Sequence, residues 1–511
     1  MKFNSALCVL IVVFGIRPCL AAESRPRNLF PDAAPTCGCE DLAKATIPNT
    51  TIDSAVVDPK NGACQVTATV THPPSGDRVK VWIALPMTNW NGRFRGTGGG
   101  GFVGGSPNSL RGPVGLGYVA GATDTGHEGG SGSFALDSSG RLNWQAIVDN
   151  AYLGIHDMTV VGKALTEKFY GKPPRFSYFY GASSGGRQAL SEAQRFPDDY
   201  DGIISACPAI NWQRFVATDV WPQVVMTSAS NFVSKAKLDA VTAAAITACD
   251  EADGVKDGVI DDPGACAYDP GALVGAKVDG SAFTEADAAV VRKIWDGARG
   301  PGGAFLWHGL SRGTDLFALA GTGGDPLAGR PFSIAADYVR YYLAQDPKWD
   351  ATKCSPEAFE LLWKQSVEEF GAVLGTDNPD LGRFRDRGGK VIILHGLADQ
   401  LIPAEGSIDY YRRVQERMGG PKTTAEFARL FLVPGVDHGF RGPGPSPTGQ
   451  VEAIIRWVEE GKAPDQLVGE RRDASGKIVG KRPLFPFPNM AKFKGAGDPN
   501  DAGSYKSVKR Y

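Results

Sequence analysis

The sequence predicts an α/β fold, a sheet of parallel type packed with helices and interrupted by a large inserted unit. Three observations carry this. Helical and strand patterns alternate between Asn143 and Cys207, the alternation stops near Asn211, and it resumes after residue 388. The chain therefore divides into a first core part (residues 23–211), an inserted lid (212–387) and a second core part (388–511), behind a leader at 1–22.

Each element has a local reason. Residues 67–85 alternate in strand fashion about the turn His72-Pro73-Pro74-Ser75-Gly76-Asp77. Residues 91–105 lead into four consecutive glycines, Gly98 to Gly101, a backbone that few side chains could follow. After Asn143, apolar residues at Trp144, Ile147, Ala151, Ile155, Met158, Val161 and Leu165 have helical spacing, and Gly171-Lys172-Pro173-Pro174 ends the run. Residues 176–180 read as a short aromatic strand, 187–196 as a helix and 201–207 as a strand. Past the insertion, residues 390–394 and 430–433 read as strands and 451–461 as an amphipathic helix.

Composition excludes some functions. Lys and Arg total 54 against 56 Asp and Glu, a net charge of −2, which offers no electrostatic footprint for nucleic acid or anionic membranes. Residues 1–22, with Lys2, an apolar stretch over 6–16 and Cys19-Leu20-Ala21-Ala22, read as an export signal; its apolar part is too short to span a bilayer. A secreted or periplasmic protein is expected, with no nucleic-acid or membrane partner. Seven cysteines follow the signal, enough for three bridges and one leftover thiol.

Gly181-Ala182-Ser183-Ser184-Gly185 fits G-x-S-x-G, preceded by a predicted strand and followed by a helix. Such a turn exposes a serine above a sheet edge, which makes Ser183 the candidate nucleophile. A serine hydroxyl needs a histidine to take its proton and a carboxylate to orient that histidine. Among the six histidines, His438 follows the strand at 430–433, and Asp399 follows the strand at 390–394, in the chain order of α/β-hydrolases. Asp437 adjoins His438, but on an extended loop it would point elsewhere. His127 could line the site or be hydrogen-bonded within its loop. Backbone donors for the oxyanion are expected at Ser184, the residue after the nucleophile, and in the glycine run, at Gly99 and Gly100.

Residues 249–263 crowd carboxylates and carbonyls at short spacing. Asp250, Asp253 and Asp257, with the carbonyls of Val255 and Val259, supply the hard oxygens that Ca²⁺ prefers. The spacing is not that of an EF-hand, and it leaves a solvated acidic turn equally open.

Together these motifs resemble the tannase and feruloyl esterase family, secreted α/β-hydrolases that cleave esters of phenolic acids and include terephthalate monoester hydrolases. The likeness lies in Trp90-Asn91-Gly92-Arg93-Phe94 with the glycine run, in residues 122–127, in Gly185-Gly186-Arg187-Gln188, in residues 193–202, in the 249–263 loop and in residues 395–403. It implies a triad of Ser183, Asp399 and His438, and a lid that carries a structural Ca²⁺ and much of the substrate pocket. It also implies bridges Cys39–Cys64 and Cys249–Cys266. Where the family has a cysteine pair beside the nucleophile and the histidine, this chain has Ala182 and Gly439, and a second pair is replaced by Phe485 and Ser507.

The expected function is a serine carboxylesterase acting on small aromatic esters, feruloyl or galloyl, through an acyl-enzyme. A terephthalate-type hydrolase is the alternative; it needs a lid cation for a distal carboxylate, and Arg330 is the candidate. A non-catalytic, calcium-stabilised binding protein of the same fold is the reading from another class.

Overall fold

In the computed structural model, which describes residues 25–510, nine strands form one sheet. The predicted export signal lies outside the described residues. In chain order the strands are β1 (Thr50–Asp58), β2 (Ala63–Val70), β3 (Val79–Pro86), β4 (Arg93–Thr97), β5 (Val119–Thr123), β6 (Phe176–Ala182), β7 (Gly202–Ala206), β8 (Lys390–Gly396) and β9 (Ala428–Val433). Across the sheet they run β1-β2-β3-β5-β4-β6-β7-β8-β9. Pairing is antiparallel from β1 to β5 and parallel at every junction from β5 to β9.

The parallel strands are apolar on both faces because helices cover both. Ile203, Ile393 and Leu430 point into one core, whereas Ile204, Ile392 and Phe431 point into the other. The helix Gly154–Tyr170 covers the first face, seated where Gly162 meets the Phe94 ring and Gly121 meets Met158. The helix Gln450–Glu460 covers the second with Val451, Ile454 and Trp457. Each large side chain so buried contributes about 1.5–3 kcal/mol.

The hairpin turn at 72–77 and the strands after Asn143 lie where their patterns put them. Two strands gave little signal. β1 is an edge strand with Val56 and Val57 exposed, so its burial contrast is weak. β4 is short and carries Arg93, whose buried guanidinium pairs bidentately with Glu459 at 2.6 Å on both arms.

Between Ala206 and Lys390 no element joins this sheet. The intervening helices, Trp212–Thr218 and Pro356–Leu374 among them, gather an aromatic core of Phe215, Tyr338, Tyr342, Phe359 and Phe370. That core reaches the sheet unit through Phe102, stacked on Tyr342 at 5.9 Å and edge-on to Trp212 at 5.6 Å.

Candidate active site

β4 lies between β5 and β6, so the chain leaves it toward one side and later returns on the other. Such a switch point opens a crevice at the strand ends. The glycine run follows β4 and Ser183 follows β6, so both border that crevice.

Ser183 sits at φ 61°, ψ −123°, between the end of β6 and the helix Ser184–Arg195. Few non-glycine residues tolerate this region, and its cost is met by close packing. The Ser183 N–H donates to Ala206 O at 2.9 Å, and its carbonyl accepts from Arg187 and Ala209 at 3.1 Å. A Cβ on Gly181 would fall 2.2 Å from the Gly185 carbonyl oxygen, and one on Gly98 2.6 Å from Gly185 Cα. The glycines at 98, 181 and 185 thus let three backbones touch.

His438 and Asp399 are buried at 3% exposure each. His438 Nδ1 lies 2.8 Å from Asp399 Oδ2, whose other oxygen accepts the N–H groups of Leu401 and Ile402 at 2.9 Å. Burial alone would raise the Asp399 pKa, but the adjoining His438 and His395 hold it far below the usual carboxylate range. For His438, burial works downward, yet the Asp399 charge and then Cys207 hold the imidazole well above its ordinary 6.5.

His395 is a residue whose role sequence reasoning missed. Its Nε2 lies 3.0 Å from Ile402 O and 3.2 Å from Asp399 Oδ2, two acceptors, so Nε2 carries the proton and Nδ1 accepts from the Ser407 hydroxyl at 2.7 Å. It braces the same carboxylate oxygen that His438 contacts. Asp437 instead closes its own turn, with Oδ1 accepting the Gly439 and Arg441 N–H groups at 2.8 Å. His127 stacks on Phe134 at 3.8 Å.

Ser183 and His438 line one cavity with Gly101, Ser184, Ala209, Trp212, Phe215, Val216, Asp219, Phe332, Ile334, Leu401 and Ile402. Asp219 was not anticipated. It is 2% exposed, its Oδ2 has no hydrogen-bond partner, and burial followed by the Asp399 charge pushes its pKa well above the carboxylate range. Burial thus favours the protonated form of this carboxyl, in the wall of an otherwise largely apolar cavity.

Two expectations need correction. Gly99 donates its N–H to Gln188 Oε1, on the helix Ser184–Arg195, at 3.0 Å and Gly100 to Val103 O at 3.1 Å, so both amides already have partners. The cavity wall there is Gly101, at φ 60°, whose carbonyl accepts from the Ser184 hydroxyl at 2.6 Å. In a run of identical residues, nothing local marks which amide faces inward. Arg330 does not line the cavity: it is exposed and packs over Gly323, while Phe332 and Ile334, two and four residues on, face inward. The lining residues include no Lys or Arg.

The bridges Cys39–Cys64 and Cys249–Cys266 are formed, and Cys37, Cys207 and Cys354 are free thiols. In the acidic loop, Asp250 Oδ1 accepts the N–H groups of Asp257, Gly258 and Val259 at 3.1–3.2 Å. Arg482, from the C-terminal strand Ile478–Leu484, inserts between Asp253, at 2.6 Å, and Asp261. Arg471 pairs with Asp257 and Arg510 with Asp262. Carboxylates thus crowd this loop, and Asp257 Oδ1 and Asp261 Oδ1 are buried without a hydrogen-bond partner. Such orphaned carboxylate oxygens are of the kind a divalent cation would take.

The sequence profile of the family described as Tannase and feruloyl esterase matches residues 64–508. A probable feruloyl esterase of Arthroderma benhamiae is 40% identical over 479 residues, covering 91% of this chain and 87% of that protein. Feruloyl esterase B of Aspergillus niger is 31% identical over 467 residues, covering 87% and 86%. Among solved structures, feruloyl esterase B from Aspergillus oryzae superposes with a TM-score of 0.82 at 28% identity, covering 92% of this chain and 99% of that one. Tannin acyl hydrolase from Aspergillus niger gives 0.81 at 25%, covering 91% and 92%.

Proposed function

The chain belongs to the tannase and feruloyl esterase family and is a carboxylic ester hydrolase, and on that premise we propose an exported serine esterase of phenolic-acid esters that works through an acyl-enzyme. The observation that carries this reading is the Asp399–His438 pair, joined at 2.8 Å, opening on the same cavity as Ser183 in its strained turn.

In this mechanism the Ser183 hydroxyl gives its proton to His438 Nε2 as Oγ attacks the ester carbonyl carbon. The charge that develops on the carbonyl oxygen is met by the N–H groups of Ser184 and Gly101. His438 then protonates the departing alcohol, leaving the acid bound to Ser183. A water, deprotonated by the same imidazole, releases it. Throughout, Asp399 Oδ2 holds the Nδ1–H and stabilises the imidazolium. The aromatic acid fits among Trp212, Phe215, Phe332 and Ile334.

The segment 212–387 serves as the lid that closes this cavity. Asp250, Asp253 and Asp257, with the carbonyls of Val255 and Val259, would hold a structural Ca²⁺ beside the Cys249–Cys266 bridge. That ion would tie the lid loop to the C-terminal hairpin and takes no part in the chemistry. The terephthalate-type reading loses support because the cavity wall carries no cation.

Hydrolysis of methyl ferulate, methyl gallate and a terephthalate monoester, with a serine-directed phosphonate as label, tests the proposal. Turnover of the phenolic esters and labelling at Ser183 are expected. Labelling elsewhere, or turnover confined to the terephthalate ester, overturns it.

A further inference from the structure

Away from the cavity, the turn between β2 and β3 brings an imidazole against three carboxylates. His72 Nδ1 lies 2.6 Å from Asp77 Oδ2 and 3.7 Å from Asp149 Oδ1, and Nε2 lies 3.2 Å from Asp157 Oδ2. One ligand atom each from His72, Asp77 and Asp149 fall within 4.8 Å of one another. The Asp149 side chain is 1% exposed, and its Oδ2 is buried with no hydrogen-bond partner. Asp77 Oδ1 is occupied by the His72 N–H and the Ser75 hydroxyl, which leaves Oδ2 for a ligand.

We propose that His72, Asp77 and Asp149 form a binding site for a divalent transition-metal ion of the Zn²⁺ class, with Asp157 orienting the imidazole. The ligand set is one imidazole nitrogen and two carboxylate oxygens, with water completing the sphere. Asp157 on Nε2 is the outer carboxylate that metal-bound histidines commonly have: it takes the Nε2–H and leaves Nδ1 for the metal. On binding, the ion displaces the proton shared by Nδ1 and Asp77, which is released to solvent. Bonds of about 2.0–2.2 Å need ligand atoms just over 3 Å apart, so Asp77 shifts outward on its surface turn by less than about 1 Å.

The charge balance agrees. Three carboxylates face one imidazole, with no Lys or Arg ion pair to Asp77, Asp149 or Asp157 among the described residues.

The position gives the site a structural role. Asp149 opens a single π-helical turn, Asp149–Leu153, and such turns recur at functional sites. The next residue, Asn150, donates to Phe102 O at 3.1 Å and Thr125 Oγ1 at 3.0 Å, and Arg187 of the nucleophile helix donates to the carbonyls of Ala151 and Asn150. An ion on Asp149 therefore fixes the turn against which the glycine loop and the nucleophile helix rest.

The test uses the whole folded protein, stripped by chelator, returned to excess Ca²⁺, and titrated with Zn²⁺ by calorimetry and with Co²⁺ by visible absorption. One Zn²⁺ per chain and a rise in Tm are expected. His72→Ala, Asp149→Asn and Asp77→Asn should each weaken Zn²⁺ binding by about tenfold or more, while Asp253→Asn in the acidic loop should not. His72 and Asp77 lie on a surface turn at 20% and 9% side-chain exposure, so their variants remain readable if that of the buried Asp149 folds poorly. Absence of binding, or unchanged affinity in Asp77→Asn, overturns the proposal and leaves a proton-sharing cluster.

Discussion

The thiol of Cys207, just past the end of β7, donates to the main-chain carbonyl of His438 at 3.2 Å. This contact fastens the histidine loop to the sheet next to Ala182 and Gly439, the positions where the family resemblance implies a disulfide. Gly439 has no left-handed φ, and a Cβ there would meet only the mobile end of Arg441 at 2.9 Å and Asp437 Oδ1 at 3.3 Å. Ala182→Cys with Gly439→Cys, in a Cys207→Ala background, should therefore form a bridge without loss of activity. Mass spectrometry that finds both thiols free in folded protein would show the two loops to be further apart than the mechanism needs.

Ser183→Ala should lower kcat by at least about 10⁴-fold and move Tm by no more than about 2 °C, because one hydroxyl is lost at a cavity wall without a packing change. Steady-state kinetics and a melting curve decide it, and retained turnover would remove Ser183 as nucleophile.

The pH profile follows from the Asp399 charge. His438 must be neutral to accept a proton, and its pKa is held above 6.5, so kcat/KM should fall on acidification with a midpoint above 6.5. In Asp399→Asn the largest raising contribution is gone and burial is opposed by Cys207 only, so the midpoint should move down, with kcat reduced by about 10⁴-fold. An unmoved midpoint would assign the acid limb to another group.

Asp219 is raised in the folded state, so the folded protein holds a proton there that the unfolded chain releases above about pH 4. Stability is lost as pH rises above that point. Asp219→Asn removes the titration: its Tm should match the parent near pH 4 and exceed it progressively toward pH 8. Parallel Tm curves would show that Asp219 does not carry this cost.

Chelation should lower Tm while leaving the chemistry itself intact, with Ca²⁺ but not Mg²⁺ restoring it, since a ligand held only by the folded state stabilises it. Arg482→Met should cost about 3–5 kcal/mol by leaving Asp253 and Asp261 buried without their cation. No change in Tm on chelation, with no calcium by elemental analysis, would make the loop a guanidinium-bound acidic turn.

Local patterns alone carried much of this protein. Strand and helix periods, the break in alternation at Asn211 and its return at residue 390 rest on residues a few positions apart. So does the Ser183 turn, where Gly181 and Gly185 are required because backbone meets backbone within five residues. Asp399 and His438 could be named because each follows its own strand at a short, fixed distance. The rest depended on contacts between distant segments. That the Gly99 and Gly100 amides are already taken was decided by Gln188 and Val103. Arg330 was turned away by its packing over Gly323. Arg482 reaches Asp253 across 229 residues and Asp149 reaches His72 from another element, and the Asp219 carboxyl is pushed upward only because burial and Asp399 surround it. A residue's charge, partner and exposure are set by what folds against it, and no period in its own segment encodes that.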